Sequence, residues 1–194
     1  MTQIFTPRWR HACWALAAWL AGCAAPPVVA PPPPATIEAP TVAPGGTLRA
    51  TGAAYLWSDK LSASAQRLRS GLQGNNVAVS QTTDQRLWVS LPAEMAFAAG
   101  RAAVKAPATG WLDQVAAALR ELPRAEVQIV SDSDATGSEN SARVLALDRA
   151  ASARDWMVAR GVPPQRIGVA ARNGRAAAAD QRRLDILIGE RAPK

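Results

Sequence analysis

The chain has 194 residues, with 22 Lys and Arg against 15 Asp and Glu and 48% hydrophobic residues, which suits one modest globular domain with appendages and excludes two large ones. Its only histidine, His11, and its two cysteines, Cys13 and Cys23, all lie in the first 23 residues, a stretch with the features of an export signal. A chain cut there keeps no histidine and no free thiol, which excludes Ser/His/Asp triads, Cys/His nucleophiles, structural zinc and internal disulfides, and no cofactor or metal is expected.

The first ten residues carry Arg8 and Arg10 with no acid, and Ala12 to Ala21 is an apolar run of Trp, Leu and Ala. That run is about half of the ~20 residues a membrane-spanning helix needs. Residues 1–22 are therefore expected to be a removed signal peptide rather than a permanent anchor. Leu20-Ala21-Gly22-Cys23 resembles a bacterial lipobox, which implies that Cys23 is lipidated and becomes the mature N-terminus. An ordinary cleaved signal with an incidental cysteine is the other reading. Cutting before Cys23 takes 22 residues from 194 and leaves 172, and the loss of Arg8 and Arg10 takes the formal charge from +7 to +5. A basic exported chain favours anionic partners such as lipid head groups or wall polymers, and export disfavours nucleic acid.

Residues 23–46 hold prolines at 26, 27, 31 to 34, 40 and 44 and are expected to form a disordered, extended tether without helix or sheet. At ~3.1 Å per residue it reaches about 70 Å. An SH3-type ligand is the alternative reading of its prolines. Residues 47–76 are expected to form a helical extension, with Leu61, Ala65, Leu68 and Leu72 on one face of a helix over 60–72. Strands at 77–79 and 87–91 follow as a hairpin, ended by Pro92. A helix over 109–122 buries Trp111, Leu112, Val115 and Leu119 and stops at Pro123. Val127 and Ile129 mark a strand, a polar turn leads into a third helix over 141–160, and the sequence Gly161-Val162-Pro163-Pro164 ends it. Strands at 166–171 and 183–188 close the chain. This order gives an α+β fold, a β/α/β/α/β-β sandwich with helices on one face of a mixed sheet. Trp57, Trp88, Trp111 and Trp156 are either core residues or an aromatic platform for carbohydrate.

Three motifs in order, SDSDATGS at 131–138, LALDRA at 145–150 and QRRLDILI at 181–188, together with a looser match at LPAEMAFAAGRAAVKAPA, resemble the OmpA-like C-terminal, peptidoglycan-binding domain family shared by Pal-type outer-membrane lipoproteins. The resemblance spans roughly Leu87 to Glu190, and the domain is expected to occupy residues 77–194. It implies that the ligand is the diaminopimelate residue of the peptidoglycan stem peptide, whose free end is a zwitterion. Such a group calls for an anion facing the ammonium and a forked cation facing the carboxylate. By motif position these are Asp134 and Arg149. The chain departs from the family pattern at Asp132 and Ser133, where the family has His and Thr, at Ala142, where it has Asn, and at Ala170 to Gly174, where it has a glycine pair and a proline.

Other readings of these residues stay open. Asp134 caps the third helix or its turn, and Arg149 pairs with Asp134 or Asp155. Asp132, Asp134 and Gly137 mimic the start of a calcium loop, but its twelfth position is Arg143 rather than Glu. Arg172 and Arg175 are expected to be surface charges. The leading expectation is a non-enzymatic outer-membrane lipoprotein, its domain facing the periplasm, that binds peptidoglycan non-covalently and tethers membrane to wall through the lipid on Cys23. The alternative is an OmpA-like protein-interaction module that has lost wall binding and serves an envelope or secretion assembly.

Overall fold

A computed structural model of the protein describes residues 36–37, 54–133, 138–172 and 181–192. Seven strands and four helices follow in order: β1 (Thr36–Ile37), β2 (Tyr55–Leu56), α1 (Asp59–Leu72), β3 (Ala78–Thr82), β4 (Leu87–Pro92), α2 (Ala93–Ala96), α3 (Ala106–Glu121), β5 (Ala125–Ser131), α4 (Glu139–Val158), β6 (Ile167–Ala171) and β7 (Arg183–Arg191), with a 3-10 turn at Pro164–Arg166. The sheet order is β1-β3-β4-β7-β5-β6. The pairs β1/β3 and β5/β6 are parallel and the others antiparallel. The expected mixed sheet with its α+β architecture is present.

Alternation along the central strands sorts the two sheet faces. Leu184, Ile186 and Ile188 of β7 join Val127 and Ile129 of β5 and Leu87, Val89 and Leu91 of β4 in the main core, against the helices. Leu187, Val130 and Ala170 form a second buried cluster with Trp88. In the strand register, β7 places Asp185 beside Ser90 and Val130 and thus on this outer face.

Helix α1 starts at the Ser58 cap, whose hydroxyl accepts the Leu61 N–H at 3.1 Å. Its apolar face, Leu61, Ala65, Leu68 and Leu72, enters the same core as the central strands. At about 1.5–3 kcal/mol per fully buried Leu, this face gives α1 a packing energy that a detached arm lacks. Helix α3 packs against both α1 and α4. It starts three residues earlier than the periodicity predicts, because Pro107 fits the first turn of a helix, where no N–H is needed. The Arg166 guanidinium closes its other end, with Nε donating to Ala125 O at 2.7 Å and Nη2 to Leu122 O at 2.5 Å and Leu119 O at 3.3 Å.

Two short strands depart from expectation. The proline-rich segment was expected to avoid sheet, yet Thr36 and Ile37 pair with Gln81 and Thr82 on the open edge of β3. They lie in a proline-free stretch between Pro34 and Pro40 and are β-branched, and an edge position tolerates neighbouring prolines. The second departure is β2, whose Tyr55 and Leu56 pair with Arg191 and Glu190, so that β7 runs three residues beyond its predicted end. Glycine is needed at 189 because the Tyr55 ring lies on it: a Cβ there would sit 2.5 Å from Tyr55 Cδ1 and 2.8 Å from Arg86 Cγ. Arg86 in turn stacks on the Tyr55 ring, 5.1 Å from its centroid.

Candidate functional site

The C-terminal end of β5 carries the motif that the sequence marks as functional. Of the predicted site residues, Arg149 lies within the described structure, whereas Asp134 and Cys23 lie outside the described residues, as do Arg175 and Gly137. Ser138 caps α4, its hydroxyl accepting the Ser141 N–H at 3.2 Å. Arg149 follows ten residues after the helix start, at ~1.5 Å per residue about 15 Å along the axis.

Arg149 is 2% exposed and is the largest fully buried side chain among the described residues. Burying a guanidinium is tolerable only where its N–H groups find acceptors. Here Nε donates to Arg101 O at 3.0 Å, Nη1 to Asp132 O at 3.3 Å and Nη2 to Ala98 O at 3.2 Å. Its carbon lies 5.1 Å from the centroid of the Phe97 ring. Two of these carbonyls belong to the loop between Phe97 and Val104, a loop closed by the bridge between those residues and by the Lys105 N–H donating to Ala96 O at 2.8 Å. The backbone turns inside this loop at Gly100, whose φ of +63° favours glycine. The plane of the Arg149 fork is thus fixed by three elements: the loop, the end of β5 and α4 itself. Asp155, the other acid considered as its partner, is exposed and pairs with Arg154.

One rung beyond Ser131 the sheet ends in charged residues. The Asp132 N–H donates to Arg183 O at 3.0 Å, and the Arg172 N–H donates to Ser131 O at 2.9 Å. The Asp132 carboxylate accepts Arg172 Nε at 3.0 Å and the Arg183 N–H at 2.9 Å. Arg172 also pairs through Nη2 with Asp185, whose side chain is fully buried. Burial would lower the Arg172 pKa, but the Asp185 and Asp132 carboxylates outweigh it and raise the pKa above the usual arginine value. Arg172 is therefore no free surface charge: its side chain is 25% exposed and bound to two acids. The Arg183 guanidinium bonds Ser90, with Nε donating to Oγ at 2.9 Å.

Sequence reasoning missed this network and the loop carbonyls. Backbone acceptors leave no side-chain signal. Asp185, an acid inside the apolar run Leu184 to Ile188, was a legible sign that a buried cation must meet it. The tryptophans do not form a shared platform. Trp57, Trp111 and Trp156 pack on the main core and Trp88 on the outer cluster. Trp156 is sandwiched further by Arg160, 3.7 Å from its centroid, and its indole N–H donates to Asp113 at 2.8 Å. Among the described residues no cluster of three or more metal-binding side chains occurs.

A model of the OmpA family matches residues 96–185, from the end of α2 to the middle of β7. The probable lipoprotein YiaD of Escherichia coli (strain K12) is 28% identical over 101 residues, 52% of this chain and 46% of the relative, so the chain matches about half the length of that curated protein. Two solved structures share the fold. The periplasmic domain of Helicobacter pylori MotB (residues 97-256) has a TM-score of 0.53 at 22% identity, covering 61% of this chain and 88% of that one. The cell wall anchor of the T6SS from Pseudomonas aeruginosa has a TM-score of 0.53 at 22% identity, covering 65% of this chain and 96% of that one.

Proposed function

We propose that this chain, whose residues 96–185 match a model of the OmpA family, is an exported outer-membrane lipoprotein, anchored through Cys23, that holds the cell wall non-covalently from the periplasmic side. The observation that carries the reading is Arg149. The motif's arginine is retained, buried, and held in one plane by carbonyls of Ala98, Arg101 and Asp132. A fork fixed before binding loses little freedom when it grips a carboxylate, which suits the acid half of a diaminopimelate zwitterion. Asp134 supplies the anion for the ammonium in this reading. The name of the Pseudomonas relative, a cell wall anchor, supports the same ligand class. No bond is made or broken, so no catalytic group is assigned. Among the described residues no helix is long and apolar enough to cross a membrane, and the lipid supplies membrane attachment in this reading.

A stem peptide containing diaminopimelate should titrate the mature chain saturably. Charge-assisted contacts contribute on the order of 1.5–3 kcal/mol each, so Asp134→Ala and Arg149→Ala should each weaken binding ten-fold or more. Co-sedimentation with purified sacculi should survive high salt, which separates a site from charge attraction. Cys23→Ser should abolish fractionation with outer membranes. No saturable binding by the wild type, or equal binding by Asp134→Ala, overturns wall recognition.

The interaction-module reading keeps one observation in its favour. The Asp132 carboxylate, at the family's histidine position, is bound to Arg172 and to the Arg183 N–H, and Ala142 offers no side-chain acceptor. A chain that sediments with an envelope complex but not with sacculi is the result that selects this reading.

A further inference from the structure

Two departures from the family pattern, an acid at 132 and an arginine at 172, are forty residues apart in sequence and 3.0 Å apart in space. We propose that Asp132 and Arg172 are a coupled pair of positioning residues that sets the orientation of Arg149, and so replaces rather than erodes the usual support of the ligand site. The proposal rests on the wall-binding reading for its function but on geometry for its mechanism.

Asp132 links the two sides of the sheet end. Its carbonyl accepts Arg149 Nη1 from the helix side, and its carboxylate accepts Arg172 Nε, beside Asp185 on the outer side. The peptide on which the Arg149 fork rests therefore belongs to a residue whose side chain is clamped by Arg172, the residue that follows β6, and by Arg183 of β7. Four contacts hold it: the backbone bonds of Asp132 to Arg183 and of Arg172 to Ser131, and the two carboxylate bonds. Each departure keeps one partner without the other, the Arg183 N–H for Asp132 and the Asp185 carboxylate for Arg172, but only together do they join the two sides of the sheet end. An acid at 132 without Arg172 lies near the buried Asp185 with no guanidinium between them, and Arg172 without Asp132 keeps only Asp185. Arg172 itself is committed to carboxylates, so its effect on a ligand runs through Asp132 and Arg149.

The test uses the mature chain as wild type, Asp132→Asn, Arg172→Gln and the double variant, with two measurements. The first is exchange with water of the Arg149 Nη1–H groups, the donors to Asp132 O, by NMR, which needs no ligand. It should be slow in the wild type, and Arg172→Gln should speed it at least five-fold while circular dichroism remains native. The second is titration with a stem peptide containing diaminopimelate, where Arg172→Gln should weaken binding about five-fold or more and the double variant should be no worse than Arg172→Gln alone. Unchanged Arg149 exchange in Arg172→Gln, or single effects on binding that simply add, overturns the coupled pair. If the wild type binds no peptide, the wall-binding reading fails, and the exchange measurement still decides whether Asp132 and Arg172 position Arg149.

Discussion

Removing the Arg172 charge, as in Arg172→Gln, leaves the Asp132 and Asp185 carboxylates in one buried corner without the guanidinium that joins them. Breaking a buried pair by deleting one partner costs about 3–5 kcal/mol. Arg172 is a quarter exposed and Asp132 keeps the Arg183 N–H, which places the loss near the low end, about 3 kcal/mol. For a domain of this size that is about 6–12 °C in melting temperature. Urea unfolding, with urea chosen because guanidinium would screen the charges, measures it. A deficit under 1 kcal/mol refutes the buried three-residue network.

Gly189→Ala should destabilise by about 1–3 kcal/mol through the clash with Tyr55 and Arg86, and Tyr55→Ala in the same chain should recover part of the loss in urea unfolding. Arg166→Met should cost about 2 kcal/mol, because the carbonyls of Leu119, Leu122 and Ala125 lose their donor, and hydrogen exchange should accelerate first in the last turn of α3. The Asp84 carboxyl feels burial, which pushes its pKa up, but bonds from Arg86 and Thr82 outweigh burial and hold it below the usual aspartate value. Its stabilisation is present above the unfolded pKa and is lost as pH falls through the folded one, so Asp84→Asn should lower the melting temperature at pH 7, and the difference from the wild type should shrink as pH falls into the acid range.

The three long helices, α1, α3 and α4, were legible because their apolar spacing survives folding, whereas the single turn of α2 is too short to carry such a pattern. The Leu61, Ala65, Leu68 and Leu72 face points into the core as its period requires. Arg149 was legible as a motif residue, but its three carbonyl partners were not, since a hydrogen bond to backbone is independent of which side chain the acceptor carries. Tyr55 and Leu56 take strand form only because β7 extends beside them, a cue 134 residues away in the pairing of Leu56 with Glu190. Thr36 and Ile37 were hidden by the prolines around them. Arg172 was misjudged for a different reason: in a polar loop an arginine normally faces water, and here two carboxylates from other strands hold it down.

The β1 pairing also has a mechanical meaning. A lipid at Cys23 and a wall contact at the far end of β5 would put the chain under tension, and that tension reaches the sheet first at Thr36 and Ile37 on the β3 edge. Two residues of parallel ladder form a weak clip compared with the long ladder between β7 and β5. Among the described residues the next strand contact along the chain is Tyr55 with Arg191. Once the clip opens, a pull from the N-terminal side would therefore shift its load from the β3 edge to the end of β7, one of the central strands of the sheet.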